Sequence, residues 1–260
     1  MLDKLPEFSC EESSLIFQQE CEHYTITVYE NDTYRWLTLG TDFIQSLISL
    51  SEHDYVLLPY THSMLLALAF KQKPLRLLNL GAGAGTFERF LFKHYPNIAV
   101  TSVESDSDII KVSRKYFYIP SGHPVVNTSA DLFLKNNTTK YDIIFIDVHD
   151  GSQHPEYFYD VGFYANAMNS LSEDGMLVMN IIPDREKEML AILLPMRKIF
   201  RWQYLLGFDN YKNVILYIFP QKPLSIDFNS ASYEALQEHS SIDLINVIDR
   251  LTLLPEAEVI

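Results

Sequence analysis

The chain has 260 residues, 47% hydrophobic and 21% charged, which fits one large α/β domain, alone or with a small appendage, and excludes a disordered chain. Its 20 Lys and Arg against 34 Asp and Glu give a net charge of -14, which argues against nucleic acid and anionic membranes and suits a small cationic amine such as a polyamine. Cys10 and Cys21 make no disulfide framework, the first residues carry no leader signature, and apolar stretches such as Met64 to Phe70 are too short for a bilayer, so a cytoplasmic protein is expected.

The first sixty or so residues read as β-structure. Tyr24 to Glu30 alternates and is rich in β-branched and aromatic residues, Asn31-Asp32 signals a turn, and Tyr34 to Leu39 is the return strand. Phe43 to Leu50 continues the pattern. From Pro59 the period changes, with a helix-like segment over Thr61 to Lys71. Strands are then predicted at Leu75–Leu80, Ile98–Glu104, Pro124–Ser129, Tyr141–Asp147 and Gly175–Ile182, alternating with helices at Phe87–Tyr95, Ser107–Tyr118, Pro155–Leu171 and Asp184–Phe200. That alternation implies a parallel sheet covered on both faces. Trp202–Phe208 and Asn213–Phe219 should close it as an antiparallel hairpin, followed by a packing helix within Ser232–Leu253. The expected division is a small N-terminal β-hairpin domain over residues 1–55 and a nucleoside-binding domain over 56–260.

Three of the nine glycines fall within Gly81-Ala-Gly-Ala-Gly85, between a buried strand and a helix, where backbone can approach a ligand. The spacing of Gly81, Gly83 and Gly85 is not the dinucleotide fingerprint. Glu104 ends the next strand at the sheet's ligand-binding edge and can accept both ribose hydroxyls. Asp131, in Ser129-Ala-Asp-Leu-Phe133, can accept from an adenine amino group while Leu132 flanks the ring; its purely structural role would be a helix N-cap. Asp147 and Asp150 follow the fourth strand, beside the sulfonium end of a nucleoside so held, or else serve as turn residues. An adenosine-containing sulfonium nucleotide, S-adenosylmethionine or its decarboxylated form, is the expected ligand. His149 and His154 lack a zinc-ligand pattern, and no metal is expected.

With those residues in view the chain resembles the spermidine synthase family of polyamine aminopropyltransferases, over roughly Tyr24 to Phe219, in a divergent, spermidine synthase-like form. The resemblance rests on the N-terminal hairpins, Leu39 to Gln45, Tyr60, the Gly loop, Glu104, Asp131, Tyr141-Asp-Ile-Ile-Phe-Ile-Asp-Val-His-Asp150 and Gly175-Met-Leu-Val-Met-Asn180. It implies a Rossmann-like S-adenosylmethionine-dependent methyltransferase fold, with a mostly parallel seven-stranded sheet after an antiparallel β-domain, and a homodimer. It implies decarboxylated S-adenosylmethionine as donor, held by Gln45, the Gly loop, Glu104, Ser105, Asp131 and Leu132. It also implies a putrescine-like acceptor, with Asp147 as base and Asp150 and Tyr60 holding the amine. Three stretches depart from the family pattern. Ala84 replaces the aspartate of Gly-Gly-Gly-Asp-Gly-Gly, Tyr60 is followed by Thr-His-Ser-Met64, and Asp-x-x-Asp-Pro reads Asp147-Val-His-Asp-Gly151.

In such a transfer the sulfonium supplies the leaving group, so the protein must align and deprotonate an amine. Neutralising an alkylammonium at pH 7 costs about 4.6 kcal/mol, which a closed-site carboxylate can offset. Ala84 removes a charge that would repel ordinary S-adenosylmethionine, so a methyltransferase, or a nucleoside-binding pseudoenzyme, is the alternative on the same fold.

Overall fold

A computed structural model describes residues 13–257 apart from 41–42, 72, 150–153, 224–225, 227–229 and 241–242. Strands β1 (Ser14–Glu20), β2 (Thr25–Glu30), β3 (Tyr34–Leu39) and β4 (Ile44–Ser49) form an antiparallel sheet in that order. The β2–β3 turn is set by Asn31, whose Oδ1 accepts from the Thr33 and Tyr34 amides at 2.9 and 2.7 Å. β1 lacks a clean alternation because it is an edge strand with a bulge between Leu15 and Phe17 and with Leu15 exposed.

The remaining elements are α1 (Pro59–Met64), α2 (Ala67–Phe70), β5 (Arg76–Leu80), α3 (Thr86–His94), β6 (Ala99–Glu104), α4 (Ser107–Tyr116), β7 (Val125–Asn127), α5 (Ala130–Asn136) and β8 (Tyr141–Ile146). A 3-10 turn (Glu156–Tyr159), α6 (Val161–Ser170), β9 (Leu171–Ile181), α7 (Glu186–Arg197), β10 (Trp202–Gly207), β11 (Val214–Phe219), α8 (Ala231–His239), α9 (Leu244–Asp249) and β12 (Thr252–Leu253) follow. The larger sheet runs β12-β10-β11-β9-β8-β5-β6-β7. It is parallel from β9 through β7, and β11 runs against both of its neighbours. The seven expected strands are there, with two-residue β12 added beside β10. The expected domain boundary at residue 55 falls in the connection between β4 and α1.

The period-2 alternation sorts the central strands between two cores. Leu77, Ile143, Phe145, Met176, Val178 and Tyr217 face α1, α2, α3, α8 and α9. Leu78, Leu80, Ile144, Ile146, Leu177 and Met179 face α5, α6 and α7. Both sets are buried, which is why these strands read as continuous apolar runs. A third cluster joins the sheets, with Ile26, Val28, Leu37 and Ile48 packed on Ile109 and Val112 of α4.

Four helical segments differ from the sequence expectation. The run over Thr61 to Lys71 is two short helices, with Leu65 and Leu66 between them as C-cap and N-cap. Pro155 to Leu171 divides at Asp160, whose side chain caps α6 by accepting from the Gly162 amide at 3.1 Å. The tail gives α8, α9 and β12. α5 is absent from the predicted helices and hinted at only by the N-cap reading of Asp131, because its seven residues are too few for a visible helical period.

Arg89 fastens three segments. It is buried, with Nε donating to the His53 carbonyl at 2.7 Å and Nη1 donating to the carbonyls of Ala84 and of Phe117, the latter at 2.7 Å. Burial lowers its pKa to about 10, opposed by Glu88 and Asp54, so it stays charged at neutral pH. A lysine keeps the charge but cannot reach three carbonyls with a rigid fork. Arg89→Lys should therefore destabilise the chain by about 3 kcal/mol, a fall of about 6–12 °C in Tm. Thermal unfolding of both proteins checks this, and an unchanged midpoint would refute the fastening role.

Candidate active site

The site begins where buried β5 stops. Gly81 and Ala82 donate their amides to the Val103 carbonyl of β6 at 2.9 and 3.0 Å, and the Asp147 amide donates to Leu80 at 2.9 Å. The ends of β5, β6 and β8 are thereby drawn together. Gly81 has φ +91°, and a Cβ there would overlap the Asp147 carbonyl, so this position requires glycine on two counts. Gly85, φ +75°, is the N-cap of α3 and packs where a Cβ would meet Ile119.

Gln45, Gly81, Gly83, Glu104, Ser105 and Asp147 line one cleft. Gln45 comes from β4, so the N-terminal sheet supplies a wall. That sheet is tied down by Tyr24, whose hydroxyl donates to Asp106, the N-cap of α4.

Glu104 is buried, with 8% exposure. Oε2 accepts from the Gly83 amide at 3.0 Å, and Oε1 from the Asp106 amide at 3.1 Å and the Ser105 hydroxyl at 3.4 Å. Burial raises its pKa above the ordinary value, and the bonds from Asp106, Gly83 and Ser105 oppose that shift. A carboxylate has about four acceptor positions, so one on each oxygen can serve a ribose once the long Ser105 bond yields.

Asp147 Oδ1 accepts from Asn180 Nδ2 at 2.9 Å. Asn180 is fully buried on β9, and its own Oδ1 accepts from Asn213 Nδ2 at 2.9 Å. The chain of amides fixes which way each side chain faces, and so presets the carboxylate.

The other expected residues lie differently. Tyr60 stands at the start of α1 outside the cleft lining, its hydroxyl donating to the Ile44 carbonyl at 3.5 Å. Burial raises the Tyr60 phenol's pKa, with the nearby Asp147 charge adding to the shift. Asp131 is the second residue of α5, where Ser129 is the N-cap; neither Asp131 nor the exposed Leu132 lines the cleft, whereas Thr128 and Ala130 do. The N-cap role considered for Asp131 is thus corrected. Asp150 lies outside the described residues. Ala84 is buried with Ile26, Val28, Leu37 and Ile48, so its methyl faces the sheet–α4 core and an aspartate there would bury its charge among them.

Sequence reasoning missed Thr61, Thr86 and His149 in the lining, and Asn180 behind it. Asn180 carried a usable signal, a polar residue near the carboxyl end of a buried strand, the same signal that marked Glu104.

The fold has known counterparts. A probable spermidine synthase from Corynebacterium glutamicum superposes with a TM-score of 0.70 at 20% identity, over 94% of this chain and 91% of that one. Human methyltransferase-like protein 13, in complex with SAH, gives 0.61 at 21% identity, over 69% of this chain and 91% of that one. In sequence, a polyamine aminopropyltransferase of Vibrio vulnificus is 29% identical over 185 residues, 68% of this chain and 62% of that protein. One from Neisseria meningitidis serogroup A is 26% identical over 159 residues, 60% of each. The chain thus spans about three fifths of the length of the curated relatives it matches. The model of the spermine/spermidine synthase domain matches residues 59–200, which run from α1 through the Gly loop, Glu104, Asp147 and Asn180 to Phe200 just after α7, and the chain belongs to that family.

Proposed function

We propose that the chain transfers an aminopropyl group from decarboxylated S-adenosylmethionine to a primary amine such as putrescine. One observation carries this beyond family membership. The cleft is lined by two carboxylates, Glu104 and Asp147, and by no Lys or Arg among the described residues. Such a lining favours a cationic donor and a cationic acceptor, and offers no partner to the carboxylate of ordinary S-adenosylmethionine.

On this reading Gln45, Ser105 and the amides around Gly81, Gly83 and Gly85 seat the donor nucleoside, with Glu104 on its ribose. Asp131 and Leu132, in the first turn of α5 beside Ala130, complete the adenine side. Asp147, preset by Asn180, faces the acceptor, with Asp150 and Tyr60 assigned to hold the amine. The amine loses a proton to a basic group of the Asp147 segment, and its lone pair attacks the methylene beside sulfur. The C–S bond breaks, and its electron pair stays on sulfur as the neutral thioether of methylthioadenosine. A homodimer in the cytoplasm belongs to the same proposal.

Methyl transfer is the second reading, favoured by the apolar Ala84 where the family's aspartate stands. Product analysis separates the two. Wild type given decarboxylated donor and putrescine should release methylthioadenosine, and Asp147→Asn should lower turnover by about 10²–10⁴-fold with nucleoside binding retained. Release of S-adenosylhomocysteine from S-adenosylmethionine, with no methylthioadenosine from the other donor, would replace this reading.

Glu104→Gln should weaken methylthioadenosine binding about ten- to a hundred-fold, through loss of charge-assisted bonds to the ribose. Asp131→Ala should cost less. Because burial raises the Glu104 pKa, its ionised form is lost as pH falls from above the ordinary carboxylate range. Wild-type affinity should therefore fall with pH in that window, and Glu104→Gln should be flat. Calorimetry across pH decides, and a wild-type affinity independent of pH would remove Glu104 from the ribose.

A further inference from the structure

The Asp-x-x-Asp segment places an imidazole where the family pattern does not call for one. His149 follows β8, two residues beyond Asp147, and lines the cleft. Its Nε2 is buried, lies 3.4 Å from Asp147 Oδ1, and has no hydrogen-bond partner among the described residues. A buried polar atom left unpaired is costly and needs an occupant.

The neighbouring histidine gives the contrast. His154 Nε2 accepts from the Ile182 amide at 2.9 Å, which leaves the ring proton on Nδ1, facing Glu188 Oε1 at 2.7 Å. Both of its nitrogens are committed, and its ring lies 6.3 Å from that of His149. Among the described residues, the groups recorded beside His149 are Asp147 and His154, with Glu188 behind the latter; Tyr157 shares the lining, and the Tyr60 phenol feels Asp147.

Resting on the aminopropyl-transfer reading, we infer that His149 Nε2 and Asp147 Oδ1 form a two-acceptor seat for the attacking ammonium, and that His149 takes its proton. With the His149 ring proton on Nδ1, Nε2 is a second acceptor 3.4 Å from Asp147 Oδ1, and both can be reached by one –NH3+ standing about 2.9 Å from each. Asp147 Oδ1 is held for this by Asn180, and its negative charge stabilises the imidazolium that forms. An imidazole is about two and a half pK units more basic than a carboxylate, so the uphill proton transfer from an amine is shortened by that amount. The proton moves from ammonium nitrogen to Nε2. The freed lone pair forms the C–N bond as the C–S pair leaves on sulfur, and the imidazolium then returns the proton to solvent. Asp147 supplies charge and His149 the base.

The test compares wild type with His149→Gln and His149→Ala, using decarboxylated S-adenosylmethionine and putrescine. Both variants should lose about 10²–10³-fold in kcat, with methylthioadenosine affinity unchanged. Free imidazole should restore activity to His149→Ala, a rescue that a packing role would not allow. A kcat within threefold of wild type in both variants would overturn the proton-acceptor role. A second readout does not need turnover. In ¹⁵N-imidazole spectra of the methylthioadenosine complex, the resonance missing from His149→Gln should shift when putrescine is added to wild type. No shift at saturating amine would overturn the seat. A shift in a wild type that releases no methylthioadenosine would refute the transfer reading and leave the seat standing.

Discussion

The site depends on the close approach of Gly81 to the carbonyl of Asp147. The two residues terminate adjacent parallel strands, and the Asp147 amide closes the pair by donating to Leu80. No side chain fits at 81, so the backbone turns out of the sheet at the point where β8 delivers its carboxylate. Val103, accepting from Gly81 and Ala82, brings in β6 and with it Glu104. The two carboxylates of the cleft are therefore placed by strand ends in a rigid sheet rather than by free loops.

Each carboxylate of the cleft is held by a different device. Glu104 is steadied by two backbone amides, which also moderate the cost of burying it. Asp147 is steadied by a side-chain amide that is itself oriented by a second, Asn213, from the connection leading into β11. Moving either strand end would break both the sheet contacts and the carboxylate's bonds. Stability and preorganisation draw on the same hydrogen bonds here, and buried Arg89 extends that coupling to the linker at His53 and the segment after α4.

What the sequence made legible follows from period and burial. Central strands such as Tyr141–Ile146 are apolar on both faces and bounded by polar residues, so their extent and parallel order could be read directly. Glycine at 81 and an acid at 104 could be read because strand ends in such sheets face ligand. The misses have physical causes too. α5 has seven residues, and the break at Leu65–Leu66 falls inside an apolar run where both segments bury the same kinds of side chain. The placement of Tyr60, Asp131 and Leu132 outside the lining, and the burial of Ala84, are set by contacts between distant elements that no local pattern encodes. His149 had no role once a zinc-ligand pattern was set aside, because its distance from Asp147 is not encoded in the local sequence.

On the proposed transfer reading, donor selection is the property most altered by these contacts. A family aspartate at position 84 would meet an ammonium as a point contact, yet the methyl of Ala84 lies in the core between the N-terminal sheet and α4. Selection would then be left to the field of the whole lining, set by Glu104 and Asp147 with no Lys or Arg among the described lining residues to answer them. Fields of this kind act over several ångströms, weaken with ionic strength, and discriminate less sharply than a direct charge-assisted bond. They still favour the donor that lacks a carboxylate over the one that carries it beside the same ammonium, because the carboxylate brings a like charge into a partly desolvated cleft. On the aminopropyl-transfer reading, exclusion of the carboxylate donor would therefore rest on repulsion and on a missing partner, and recognition of the amine on acceptors near Asp147.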